Sequence, residues 1–465
     1  MPKFTPPYPE RPETIASDWR RYQLVRKNLI GHWEAPAFRS DFMATRMGGR
    51  SLFVCNSPES VRFAFNNKTA VFERKTVQMR RLLEPLIGDG LFISHGETLR
   101  ARRALISPMV HLSRLPRFAP LMVEAAQEVA ERWDKVPSGQ PVDALADMGH
   151  LAAEVVCKSL FGRDLGQRNA EVIVGGFTRF QQASTSITLL DALGLPDWFP
   201  RPPNRRVRRI VAQVNRVLDS VIADVERDGR DCLVADLMKS APGALTRQQL
   251  RNEAAVLFMA GHETTANTMA WAWYLISQDP EVEARLHKEL DAVLGGRSPT
   301  LDDLKALTFT RAIIDETLRL YPPVPHLGRQ STAAETFQGT PMPKGSYVLV
   351  VPWLLHRHSG LWDRPDEFDP DRFLVPDQGG ASKYAYVPFS VGSRVCPGQA
   401  FGLAEAMICL ATLAQRFELR LLPGHKVEAV CRMTLRPGER LPMLVRPRAV
   451  SKDPARALDL PVGHG

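Results

Sequence analysis

The sequence predicts a mainly α fold with small β-sheets, an α+β chain made of one helical unit and a strand-rich lobe. Three observations predict it. From residue 97 to 280, apolar residues recur at helical spacing almost without interruption. Period-two stretches are confined to residues 40–57, 339–355 and 417–445. No repeat, low-complexity linker or compositional break divides the chain, although its length alone would suggest about three domains.

The elements follow in order. Residues 1–39 read as an N-terminal extension, proline-rich at its start. Two short strands follow, with Arg46–Arg50 as the turn, and Pro58 opens a helix over Glu59 to Asn67. Amphipathic helices are expected over Phe118–Trp133, Asp143–Leu160 and Arg205–Arg227. Thr246-Arg247-Gln248-Gln249 is a capping box. The helix it opens runs to Asp279, about 50 Å at 1.5 Å per residue. Pro280 begins another helix, which Gly295-Gly296 stops, and Pro322-Pro323 stops the one carrying Glu316-Thr317-Leu318-Arg319. Strands are expected from Gly339 to Leu355 and from Phe417 to Val445, broken at Pro423-Gly424 and Pro437-Gly438. The tail, 448–465, reads as loose.

Composition narrows the function. The chain carries 60 Lys+Arg against 51 Asp+Glu, a net charge of +9. Yet no basic block is interleaved with aromatics, so nucleic acid is not an expected partner. The six cysteines are scattered without C-x-x-C spacing, which suits a reducing compartment. The longest apolar run, Tyr347 to Leu355, is far short of the ~20 residues that span a bilayer. No apolar stretch follows the N-terminus either. The expectation is a soluble cytoplasmic protein without a transmembrane anchor.

Two stretches carry chemistry. Phe389 to Gly398 reads F-x-x-G-x-R-x-C-x-G, which residue usage would produce by chance in about one in 10⁴ chains of this length. Cys396 stands two residues after Arg394, a cation that favours the thiolate, and the glycines leave room for close backbone approach. The long helix reads Ala260-Gly261-His262-Glu263-Thr264 in its middle. A glycine there costs ~1 kcal/mol against alanine, and an acid among apolar residues costs more, so an offsetting role is expected. Glu316 and Arg319, at i and i+3, share a helix face, as on many solvated helices.

The Cys396 stretch resembles the haem-thiolate loop of the cytochromes P-450, and the resemblance extends over roughly residues 40–447. It implies a single haem-binding monooxygenase domain over those residues, haem b as cofactor, and Cys396 as the iron ligand. A thiolate ligand favours O–O cleavage. Phe389, Gly398, Ala260 and Gly261 would border the cofactor. Arg394, Arg329 and Arg103 would meet its propionates. Leu99 departs from the family pattern at a position where tryptophan is common, and His95 or water would have to supply the missing hydrogen bond. Glu263 and Thr264 match the family's acid–alcohol pair, which organises water and delivers protons to oxygen. His262 fits a packing role. Glu316, Arg319 and Arg372, the last in Phe368-Asp369-Pro370-Asp371-Arg372-Phe373, would form a buried structural triad.

The same resemblance offers Phe92, Val324 and Met433 as substrate contacts; all three are apolar, and each equally suits ordinary core packing. The implied reaction inserts one atom of O₂ into an apolar small molecule of fatty-acid, terpenoid or aromatic type. Its electrons would come from a ferredoxin-type donor with its reductase, steered by cations such as Arg100 and Arg102. Two alternatives share the motif: a haem-thiolate peroxygenase or isomerase, and a non-catalytic haem sensor or ligand-binding protein.

Overall fold

Cap chemistry and proline positions set most helix ends in the computed structural model, which describes residues 3–47, 49–162, 166–183, 204–240, 243, 245–375 and 383–448. The longer helices are α1 Asp18–Lys27, α2 Val77–Ile87, α3 Gly96–Ile106, α4 Leu115–Asp134, α5 Ala144–Phe161 and α6 Gly166–Ala183. They continue with α7 Arg205–Asp228, α8 Leu233–Ser240, α9 Arg247–Gln278, α10 Pro280–Leu294, α11 Thr308–Leu320 and α12 Gln399–Ala414. The capping box of α9 forms as expected: Thr246 accepts from the Gln249 N–H, and Gln249 accepts from the Thr246 N–H. Asp279 caps α10, and Gly295 closes it in the left-handed region at φ 55°.

Among the described residues, four small sheets make up the β portion. The largest has the order β1-β2-β7-β4, from Phe42–Met47, Arg50–Cys55, Tyr347–Val350 and Leu327–Gln330. Its β2/β7 pair is parallel and its other pairs are antiparallel. β3 (Pro141–Asp143), β11 (Pro442–Pro447) and β8 (Phe417–Leu421) form a second, and β5 (Glu335–Phe337) pairs with β6 (Thr340–Met342). β9 (Ala429–Cys431) and β10 (Leu435–Pro437) make a hairpin whose turn carries Met433 and Thr434. Pro352–Leu355, expected as strand, is instead a helical turn with Pro352 at its first position. The expected tail lies, beyond Arg448, outside the described residues.

α9 is the centre of the packing and lies along α5. Gly261 permits the close approach: a Cβ there would stand 2.8 Å from Val156 Cγ2 of α5. The N-terminal arm is strapped across the far side of the sequence. Lys3 pairs with Asp369 at 2.7 Å and Asp371 at 3.2 Å. Arg11 grips Asp366 through both nitrogens, and Tyr321 donates its hydroxyl to the Pro7 carbonyl at 2.6 Å. Among the described residues, no helix is long and apolar enough to cross a membrane.

Candidate active site

The Cys396 loop is built by backbone constraints. The Cys396 N–H donates to the Phe389 carbonyl at 2.8 Å, folding the stretch back on itself. Ser390 and Gly392 both take positive φ, 62° and 71°. At Gly392 no other residue fits, because a Cβ would lie 1.8 Å from the Phe65 carbonyl oxygen. Gly398 then caps α12. The Cys396 side chain sits in a recess of intermediate exposure. Burial pushes its thiol up, while the Gly398 N–H and the charge of Arg103 pull it down.

The expected neighbour Arg394 is engaged elsewhere. It donates to the carbonyls of Glu73 (3.1 Å), Leu91 (3.4 Å), Phe92 (3.1 Å) and Ser94. Arg103, on α3, is the cation acting on the thiol, and it donates to the Val395 carbonyl at 2.7 Å. Sequence proximity is not spatial proximity here: Arg394 ends a 3-10 turn, Gly392–Arg394, and its side chain points to the 73–94 segment, whereas Arg103 of α3 reaches the loop at Val395.

Buried and half-buried basic groups accompany the loop. Arg329, on β4, is 2% exposed, lies 4.5 Å over the Phe65 ring, and burial pushes it down to about 9. Burial likewise pushes Arg394 down to about 10. Lys75 joins them. It is buried, stands 4.4 Å over the Phe92 ring, and is driven well below the usual lysine range by burial and then by Arg329 and Arg394. Glu73 is the carboxylate that counters Arg329 and Arg394. Arg329, Arg394, Lys75 and Arg103, with Glu73 as the carboxylate beside them, fit a dianion, and haem b brings two carboxylates beside its iron. A lone lysine carries no motif, so sequence reasoning missed Lys75. Leu99 is buried as an ordinary core residue, and His95, the expected substitute for tryptophan, is exposed at the start of α3.

The middle of α9 remains helical throughout. Thr264 donates its hydroxyl to the Ala260 carbonyl at 2.6 Å, and Ala260 is exposed between half-buried neighbours. Gly261 has its missing side chain towards α5, so it serves the packing of the two helices. Glu263 accepts from Thr434 at 2.6 Å and from Gln181 of α6. His262 stacks on Phe258, in keeping with packing. The hairpin bearing Met433 also meets the segment bearing Val324, since the Leu435 N–H donates to the Pro323 carbonyl at 3.0 Å. Phe92, Val324 and Met433 are all half-buried and apolar.

Glu316 and Arg319 are fully buried and joined by two N–H···O bonds, 2.6 and 2.8 Å. Arg319 also donates to the carbonyls of His356, Pro365 and Glu367. Arg372 approaches Glu316 at 3.5 Å and donates instead to the carbonyls of Asp363 and Arg364. Arg102, expected to face a partner, is 5% exposed and paired with Glu253 and Asp89, so it cannot steer an encounter. Arg100 is exposed.

A family model described as Cytochrome P450 matches residues 33–440. Cyclooctatin synthase of Streptomyces melanosporofaciens is 32% identical over 439 residues, covering 91% of this chain and 92% of that protein. Cyclooctat-9-en-7-ol 5-monooxygenase of the same organism is 30% identical over 92% of each chain. Pentalenene oxygenase of Streptomyces avermitilis is 29% identical, over 90% of this chain and 93% of that one. A crystal structure of a cytochrome P450 heme domain, 24% identical, matches with a TM-score of 0.79 over 97% of this chain and all of that one, a likeness of fold. The family's enzymes use O₂ and a redox partner to oxidise organic substrates. With a match that spans most of its length and a fold to go with it, the chain belongs to the cytochrome P450 family of haem b-dependent monooxygenases.

Proposed function

We propose that this enzyme inserts one oxygen atom from O₂ into an apolar, cyclic, terpenoid-like substrate, with electrons from a separate ferredoxin-type donor and its reductase. Residues 40–447 act as one catalytic domain behind the 1–39 extension. Cys396 would hold the haem iron, and Arg103, Arg329, Arg394 and Lys75 would face its carboxylates. Bound there, haem supplies the activation of O₂. Thr264 keeps its proton directed at the Ala260 carbonyl, which leaves its oxygen lone pairs to accept from and orient a water. Glu263 passes protons inward from the surface by exchanging its bonds to Thr434 and Gln181 for bonds to water.

The observation that carries the reading is the thiol loop with its neighbouring basic groups, tied through Arg394 to Phe92, the first of the half-buried apolar trio Phe92, Val324 and Met433. The substrate class draws on two relatives whose names denote a ring alkenol and an alkene. The net charge of +9 and exposed Arg100 suit an acidic donor. Six cysteines, none of them in a disulfide among the described residues, suit the cytoplasm. The test is titration of the ferric protein with cyclic terpene hydrocarbons and with straight-chain fatty acids, followed by turnover with a surrogate ferredoxin, its reductase and NADPH. A low-to-high-spin shift with the terpenes, and a product one oxygen heavier that requires the donor, is expected. A shift with fatty acids alone rejects the substrate class. Product formed from hydrogen peroxide but never with the donor favours a peroxygenase.

A further inference from the structure

The turn that carries Phe92 is held to α9 by a buried carboxylate outside the acid–alcohol pair. Glu253 is 0% exposed and accepts from the Leu91 N–H through both oxygens, at 3.2 and 3.1 Å. Its Oε1 also lies 3.2 Å from Nε of Arg102. Arg102 reaches Asp89 at 3.3 Å, and Asn252 donates to the same carboxylate at 3.1 Å. Two glycines let the turn sit this close. A Cβ on Gly88 would stand 2.1 Å from the Asn252 side-chain nitrogen, and one on Gly90 would stand 2.6 Å from Val256 Cγ2. From the opposite side, Arg394 takes the carbonyls of Leu91, Phe92 and Ser94.

The turn is thus clamped by its N–H on one side and its carbonyls on the other. Glu253 is seven residues before Ala260, two helical turns, so both lie on one stripe of α9, about 10 Å apart. Burial pushes the Glu253 carboxyl up to about 7, against the pull of the Leu91 N–H and Arg102, so holding it there costs stability. A group kept at such a cost suits a positional task.

We propose that Glu253 is a positioning residue for substrate selection: by gripping the Leu91 N–H and Arg102 it fixes where the Phe92 ring stands, and so the size of molecule the site admits. This rests on the reading of Phe92 as a pocket residue.

The experiment uses the holoenzyme and two ligands that bind ferric haem through nitrogen, imidazole and the bulkier 4-phenylimidazole, read by the Soret shift. E253A, which removes the acceptor, should keep the red-shifted reduced carbon monoxide band and bind imidazole within about twofold of wild type. Its affinity for 4-phenylimidazole should change at least tenfold. E253Q, which restores an oxygen for the Leu91 N–H, should recover most of the difference. Should E253A yield no holoprotein, E253D, one methylene too short to hold the Leu91 N–H, reads the same change. Either acceptor-deficient variant discriminating between the two ligands as wild type does overturns the proposal. F92A separates the premise from the proposal. Altered discrimination in F92A with none in E253A rejects the role of Glu253 alone. Wild-type discrimination in F92A removes Phe92 from the pocket, and the proposal with it.

Discussion

Thr434 donates its hydroxyl to Glu263 at 2.6 Å, tying the turn of the β9–β10 hairpin to the middle of the longest helix. Asn267, one turn further along α9, donates to the same Thr434 oxygen at 3.2 Å. The acid of the acid–alcohol pair is therefore fastened to the hairpin, while the alcohol bonds back to the Ala260 carbonyl.

Thr264→Ala should leave haem content, ligand binding and electron uptake close to wild type. The reducing equivalents should appear as hydrogen peroxide rather than product. General acid assistance is typically worth ~10²–10⁴-fold in the step it serves. The ratio of product formed to NAD(P)H consumed is the measurement, and a fully coupled variant would falsify the relay.

Glu316→Ala and Arg319→Ala each strand a buried charge, at ~3–5 kcal/mol. Arg319→Lys should fare almost as badly, because an ammonium cannot serve Glu316 and three carbonyls at once. The expected outcome is little or no protein with a red-shifted reduced carbon monoxide band, scored against total soluble protein.

Gly392→Ala forces a methyl group against the Phe65 carbonyl at a positive φ. The loop must open or shift, at a cost on the order of 2 kcal/mol or more. Reduced haem retention and a lowered Tm of the holoprotein are expected. Glycine at positions 424 or 438, where no atom stands closer than 3.7 Å to an added Cβ, provides the control for φ strain alone.

Lys75→Met should have opposite effects on the two forms. Without cofactor, burial beside two guanidinium groups disfavours the charged form of Lys75 and costs stability, so its replacement should stabilise the apoprotein, by about 1–3 kcal/mol. With cofactor, a partner of its carboxylates is lost, and haem should pass to a competing apoglobin about tenfold faster. Thermal unfolding of the apoprotein and the haem-transfer rate check the two halves independently.

The ring of His356 is fully buried and accepts the Val387 N–H at Nε2, 2.9 Å, so it must be neutral. Burial, with Arg319 and Arg357 nearby, lowers its pKa to about 3. Above pH 6.5 folded and unfolded chains hold it alike. Below that, the unfolded chain takes a proton that the folded one refuses, so stability falls with acid between pH 6.5 and about 3. The slope from this group is ~1.4 kcal/mol per pH unit. His356→Gln keeps an acceptor and cannot titrate, so denaturant melts at pH 7, 6 and 5 should show about one proton fewer taken up on unfolding.

The long helices were legible because their signals are local: apolar spacing, Thr246 and Asp279 as caps, Gly295 as a stop. Strands such as β3, β4 and β5 have three or four residues, too few to display a period, and the partner of β3 is the remote β11. The run ending in Pro352–Leu355 is uniformly apolar, which fits strand and buried helix alike; its proline was the neglected signal. At the site, Cys396, Arg103, Glu263 and Thr264 stand in spaced motifs. Lys75 and Glu253 do not, and only the crossing of remote segments shows that each is buried. Arg102 was misjudged by composition, since at 100° per residue it turns inward while Arg100 faces out.

The strap formed by Lys3, Arg11 and the Pro7 carbonyl has a consequence for the order of biosynthesis. Lys3 waits for a partner 366 residues later in the chain. At 5–20 residues per second that is roughly 20–70 s of translation. Through that interval the arm has neither Asp366, Asp369 nor Asp371 to hold, so it is among the last pieces to lock and a natural place for a chaperone or protease to act first.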